Sequence, residues 1–280
     1  MSTIAIRDLT TVDDLRRVPV LEQRVWEYPT PDELIPVAIL AASVRRGAIV
    51  IGAFDGDDMV GVVYSMPGIR NGCLCHWSHV LGVLPEYRTG GVGLKLKLAQ
   101  RERALAMGLD LIEWTYDPLL AANAHLNCSR LGAVVEEYEL DVYGASDSPL
   151  HGAVPTDRFI AQWKIRSPHV ERRLAPASPL RLVSQGAVHA PFVNETYTDG
   201  VWQRCGTVDV SLSAERVRVR IPASFGAMLR EAPDIAAAWR LHSREIFTSY
   251  FGRHYRAVDF FLNRESSGGD YLLSRIDQEC

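Results

Sequence analysis

The sequence predicts an α/β (α+β) fold in which a mixed central sheet is flanked by helices. Three patterns carry that expectation. β-rich runs at 48–54 and 59–65 surround Asp55-Gly-Asp-Asp58, a hairpin signal. The strand pattern of 76–84 leads to Gly90, Gly91 and Gly93 and then to an amphipathic helix over 91–107. Gly108 stops that helix, and Leu111-Ile-Glu-Trp-Thr-Tyr116 follows as a new strand.

The other elements fall in order around this centre. Residues 4–9 alternate as a first strand. Residues 11–26 read as a helix, with Asp13 and Asp14 where its dipole favours acid. Pro31-Asp-Glu33 opens a second helix that ends near Arg45-Arg46-Gly47. In the 91–107 helix Leu94, Leu98 and Leu105 share a stripe, while Lys95, Lys97, Arg101 and Arg103 lie mostly off it. Residues 121–131 form a short helix stopped by Gly132, and strands follow at 133–143 and 158–165, joined by a polar loop. Residues 166–191, rich in Pro, Ser, Ala and Arg, read as a connecting segment. Beyond them come β-rich runs at 206–212 and 217–222, a helix over 232–251 with Trp239, Ile246 and Tyr250 on one stripe, and a run at 255–262.

Composition narrows the function classes. A net charge of −4 gives no global basic field for nucleic acid. The longest apolar run, residues 34–44, is broken by Pro36 and far short of the roughly 20 residues of a membrane helix. No signal peptide is visible, so the expected location is cytoplasmic, with no membrane partner. Cys73, Cys75, Cys128, Cys205 and Cys280 are scattered and odd in number, as reduced thiols are. Cys73 and Cys75 lie near His76 and His79, but the spacing is not that of a zinc site, and no metal is expected.

The Gly-rich turn carries the chemistry. A pyrophosphate needs convergent N–H donors and no side chains in the way. A helix that begins at such a turn adds its dipole and unpaired N–H groups. The spacing is neither Gly-x-Gly-x-x-Gly nor the Walker pattern. Val83-Leu-Pro-Glu-Tyr-Arg88-Thr-Gly-Gly91-Val-Gly93 instead matches Val-x-Pro-x-x-Arg-x-x-Gly-x-Gly/Ala, and so resembles the signature of the GNAT superfamily of N-acyltransferases. The order of elements over residues 4–165, Asn123 and Arg130-Leu131-Gly132 agree with that resemblance. More narrowly, His79-Val-Leu-Gly-Val, Gln100-Arg101, Trp114-Thr-Tyr-Asp-Pro118, Asn127 and Pro155-Thr-Asp-Arg158 resemble a bacterial GNAT branch of predicted acetyltransferases. Some members of that branch are linked to N-acylamino acid metabolism.

The resemblance implies an acyl-CoA co-substrate, acetyl-CoA or another, and a small-molecule amine as acceptor. Backbone groups of Leu81, Gly82 and Val83 would meet the pantetheine arm and polarise the acyl carbonyl. The N–H groups of Arg88, Thr89, Gly90, Gly91, Val92 and Gly93 would hold the pyrophosphate. Asn123 would reach the pantetheine, and the fourth and fifth strands would splay to admit the acyl chain. His79 stands where some GNAT enzymes place the histidine that relays the amine proton, a task that suits an imidazole. His76, of opposite parity on the strand, ranks below it. The usual GNAT acid, a tyrosine three residues before Leu-Gly, is Cys128 here, a candidate proton donor or a buried structural thiol. Arg158 is a candidate clamp for an acceptor carboxylate, or the structural partner of Asp157. Trp77 and Trp114 line the acceptor pocket or pack in the core.

The expected organisation is a catalytic domain over 1–165, a connecting segment over 166–191, and a degenerate second GNAT-like lobe over 192–280. That lobe would cover the acceptor side or form a dimer interface, and Arg240 and Arg244, one turn apart on its helix, would face an anionic ligand or stand as solvated charges. The competing readings are a non-catalytic acyl-CoA sensor or partner-binding module, motivated by Cys128, and a protein-lysine acetyltransferase.

Overall fold

The computed structural model describes residues 3–28, 30–144, 154–175, 189–222, 224–263 and 268–276. These form two compact units. The first holds residues 3–114 and 164–166, and the second holds 115–144, 154–163 and 167–276. The chain passes from the first unit to the second after Trp114, returns to the first for 164–166 and leaves it again at Ser167, whereas the expected domains were 1–165, 166–191 and 192–280.

In the first unit a mixed sheet runs β1 (Ala5–Asp8), β2 (Ile49–Asp55), β3 (Asp58–Arg70), β4 (Cys73–Val83) and β5 (Leu111–Tyr116). Neighbours pair antiparallel except β4 and β5, which are parallel. The β3–β4 hairpin is longer than its apolar runs suggest. Asn71 (φ 50°) and Gly72 (φ 78°) form the tight turn that such a hairpin needs, which extends the ladder to Arg70↔Cys73.

Helices α1 (Val12–Leu15), α2 (Arg17–Trp26), α3 (Val37–Val44) and α4 (Val92–Ala106) complete this unit. The expected 11–26 helix breaks at Arg16, because Pro19 has no N–H for the turn before it. The second helix is also split. Pro31–Glu33 is a 3₁₀ turn, and α3 starts only after Pro36, whose ring disfavours helical backbone in the residue before it. Gly108 ends α4 with φ 79°, as expected. The sheet carries α2 on one face and α4 on the other. A Cβ at Gly82 would meet Trp26 of α2, whereas one at Gly61, registered with Val83, would meet Leu96 and Val92 of α4.

One buried acid in this unit has a testable consequence. Glu22 is 3% exposed and accepts the Ile35 N–H at 3.2 Å, tying α2 to the chain before α3. Burial pushes its carboxyl up to about 7, against the pull of that N–H. The folded state thus holds a proton between the ordinary glutamate range and pH 7 that the unfolded chain has lost. Stability contributed by this proton is complete below the unfolded value and is lost as pH rises through 7. Unfolding titrations from pH 4.5 to 8 are expected to show a loss of about 3 kcal/mol that Glu22→Gln removes.

The second unit contains α5 (Ala121–Ala124), β6 (Val134–Glu139), β7 (Arg158–Lys164), α6 (Pro168–Leu174), β8 (Asn194–Asp199), β9 (Trp202–Val208) and β10 (Arg216–Ile221). It continues with α7 (Phe225–Glu231), α8 (Pro233–Phe251), β11 (Tyr255–Leu262) and β12 (Gly269–Arg275). Its sheet order is β7-β6-β11-β12-β10, all antiparallel, with β8–β9 as a separate hairpin. Phe159 of β7 touches the rings of Tyr116, Tyr138, Phe247, Phe251 and Tyr271. That aromatic cluster and the β6–β11 pairing join β6 and β7 to the C-terminal strands, which is why the boundary falls before them. The expected strand at 206–212 begins earlier, as β9. Of the expected connecting segment, 168–174 is helical, capped by Ser167 Oγ accepting the Val170 N–H. Residues 176–188 and Cys280 lie outside the described residues. No helix among the described residues is long and apolar enough to cross a membrane.

Candidate active site

The Gly-rich segment folds as a 3₁₀ turn, Pro85–Gly90, that delivers the chain from β4 into α4. Gly91 is the N-cap of α4 at φ 74°, a left-handed position that favours glycine. No side chain caps the helix there. Arg88, Thr89, Gly90 and Gly91 are exposed, and a Cβ at Gly90 or Gly91 would meet nothing within 4 Å. The N-terminal end of a helix of 15 residues is therefore open to an anion. Arg88 Nε donates to Val83 O at 3.1 Å, which holds the guanidinium at the end of β4. Val92 is buried and anchors the first turn of α4; Gly93 is half-buried.

His79 sits at an irregularity in β4. Tyr64 pairs with Val80 and Ser65 with Ser78, so His79 is the extra residue of a β-bulge. A bulge leaves its residue outside the ladder and re-aims the side chain. The imidazole is exposed on one side and meets Tyr64 edge-on, with ring centroids 6.2 Å apart. Partial loss of solvent pulls its pKa below the usual histidine value, which leaves it neutral and able to take a proton at pH 7. His76 differs sharply. It is 1% exposed, its Nδ1 lies 2.9 Å from Ser65 Oγ, and its Nε2 is buried without a hydrogen-bond partner.

Leu81, Gly82 and Val83 follow the bulge. Gly82 is glycine for a packing reason: a Cβ would stand 2.8 Å from the Trp26 ring. Trp77 is half-buried on β4. Trp114 does not line an opening. It is 6% exposed, and its ring receives the amine of Lys97 at 3.6 Å from the centroid. The structure also corrects the stripe read on α4. Leu94, Leu98 and Leu105 are only half-buried, and the sheet-facing side is Val92, Leu96, Lys97, Ala99, Gln100 and Ala104.

Asn123, Cys128 and Arg158 belong to the second unit. Asn123 is exposed on α5, whose N-cap is Leu120. Cys128 lies in a π-helical turn, His125–Arg130, and is completely buried. Its Sγ is 3.5 Å from Tyr116 Oη, and Tyr271 Oη donates on to Pro118 O at 2.9 Å. Burial pushes the thiol up to about 12. Of the two expected roles, a buried structural thiol matches this surrounding, since the proton is held inside the core.

Arg158 does not pair with Asp157 through its carboxylate. Its Nη1 donates to the Asp157 carbonyl at 3.2 Å and lies 3.5 Å from Asp117 Oδ2. Asp157 instead receives Arg244 Nε and Nη2 at 2.9 and 2.8 Å and Tyr138 Oη at 2.8 Å. Asp117 in turn receives both Nη atoms of Arg240, which is 1% exposed. The arginines one turn apart on α8 are thus anchors of loops, and not solvated charges. The sequence reading missed Lys97, Glu22 and the bulge. Lys97 was legible only from its spacing to Gln100 and Ala104.

No family model matches the chain, and no curated protein matches it. Solved structures do. An acetyltransferase of the GNAT family from Streptococcus pneumoniae is 18% identical, with 57% of this chain and 98% of that one covered at a TM-score of 0.45. The ribosomal-protein-S18-alanine N-acetyltransferase of Escherichia coli is 17% identical over 58% of this chain and 94% of that one, at 0.45. An IAA acetyltransferase from Bacillus cereus is 16% identical over 58% and 99%, at 0.43. The chain is an α/β protein whose mixed sheet carries a helix on each face, with an open Gly-rich turn between a bulged strand and a helix.

Proposed function

We propose that the chain is an acyl-CoA-dependent N-acyltransferase of GNAT type, moving an acetyl or succinyl group to the amine of a small molecule, an amino acid by class. The observation that carries this reading is the open, uncapped start of α4 directly after β4. The pyrophosphate would lie on the N–H groups of 88–93, and the pantetheine along Leu81, Gly82 and Val83. The amine attacks the acyl carbon, a C–N bond forms, and the amine proton passes to neutral His79. The tetrahedral oxyanion is held by backbone N–H groups of β4. The C–S bond then breaks and the thiolate leaves without a proton from Cys128.

Acetyl-CoA or succinyl-CoA is expected to raise the melting temperature, and free thiol to appear only when an amine is added. No thermal shift at millimolar acyl-CoA sinks the reading at its first step. His79→Ala is expected to lower kcat by about a hundredfold while leaving coenzyme A affinity unchanged. The buried state of Cys128 favours one second reading, a sensor that binds acyl-CoA without turnover. Binding without thiol release across a broad amine panel is its signature.

A further inference from the structure

Lys97 is 1% exposed on the sheet-facing side of α4. Its Nζ donates to Gln100 Oε1 at 2.7 Å and to Ser78 Oγ at 3.2 Å, and it stands over the ring of Trp114. Gln100 Nε2 donates to the same Ser78 hydroxyl at 3.0 Å. The registered pairs of β4 and β5 are His76↔Ile112 and Trp77↔Glu113. Ser78 and Trp114 are the residues that come next, one on each strand. One amino group therefore grips both strands where their registered pairing ends, and the next residue of β4 is the bulged His79.

We infer that Lys97 is a positioning residue that sets the fork between β4 and β5, and through it the aim of His79 and of the backbone of Leu81, Gly82 and Val83. The inference rests on the acyl-CoA reading of that strand. An apolar side chain would fill the same space without the cost of burying an amine. It would have no directed bonds, so the two strands could settle at a different opening. A lysine has the reach and the donors to bind one strand by a hydroxyl and the other by a ring face. Burial holds this amine well below its usual pKa.

The test is calorimetric titration of coenzyme A into the full chain, Lys97→Met, Ser78→Ala and the double variant, with melting temperatures and pH profiles of acyl transfer. Methionine matches the volume, so Lys97→Met is expected to melt within a few degrees of the parent. Its coenzyme A affinity is expected to fall about tenfold or more, since small misplacements in such a site are costly. Ser78→Ala is expected to lose roughly threefold, and the double variant no more than Lys97→Met alone, because the two act through one contact. The acid limb of kcat/KM, carried by His79, is expected to move toward the ordinary histidine value as solvent reaches the ring. Parent-like affinity in a folded Lys97→Met, or fully additive losses, overturns the inference. Should Lys97→Met fail to fold, parent-like affinity in Ser78→Ala overturns it instead. A parent that binds no coenzyme A removes the acyl-CoA reading itself, and this inference with it.

Discussion

Gly91→Glu is expected to lower coenzyme A affinity by at least about a hundredfold while leaving the fold intact. Two effects add. Gly91 has φ 74°, and a left-handed backbone costs a residue with a Cβ about 1 kcal/mol or more. The new carboxylate would also stand where the pyrophosphate is expected, at the positive end of α4. Folding is spared for two reasons: the position is open, with nothing within 4 Å of a Cβ, and an acid at a helix start is favourable. Gly91→Ala isolates the strain and is expected to lose roughly fivefold. Calorimetry with coenzyme A measures both. Parent-like affinity in Gly91→Glu would place the pyrophosphate elsewhere.

The second large effect is on stability. Asp117→Ala is expected to cost about 3–5 kcal/mol, because it strands Arg240 inside the second unit. Both Nη atoms of Arg240 bond Asp117, Arg158 lies 3.5 Å from the same carboxylate, and Arg240 is 1% exposed. The loss comes mainly from the charge left behind, not from the bond removed. The double variant Asp117→Ala with Arg240→Met should therefore recover most of it. Urea unfolding of the three variants checks this. A double variant as unstable as Asp117→Ala alone would mean that the carboxylate has other work.

The parts of the fold written in local pattern were legible. The strand–turn–helix unit stands where the glycines and the alternation placed it, and Gly108 and Gly132 end their elements with φ 79° and 71°. Asn71-Gly72 is an equally local signal for the β3–β4 turn. What pattern could not reveal depends on partners distant in the chain. The boundary at Trp114 follows from Val135 pairing with Ala257 and from rings gathered on Phe159. Cys128 stands at the position of an expected acid, but only burial shows that its proton is out of reach. Arg240 and Arg244 read as surface charges until Asp117 and Asp157 are seen beside them. Lys97 hid among leucines because both the sheet-facing and the half-buried sides of α4 are apolar.

The bulge at His79 was invisible for a different reason. Ser78, Val80 and Gly82 are all buried, so the alternation continues through the irregularity without a break. Yet Ser78 meets Lys97 and Gln100 of α4, while Gly82 meets Trp26 of α2. The strand turns over at one residue, and because helices cover both faces the turnover leaves no trace in hydropathy. Length change is therefore unequally tolerated along β4. Deleting His79 would join Ser78 to Val80 in a regular ladder with every other side chain on its present face, and only the re-aimed imidazole would be lost. A residue lost from 80–83 instead would exchange the α2 and α4 faces of the residues beyond it, so the bulge is the one place where this strand can shorten without repacking.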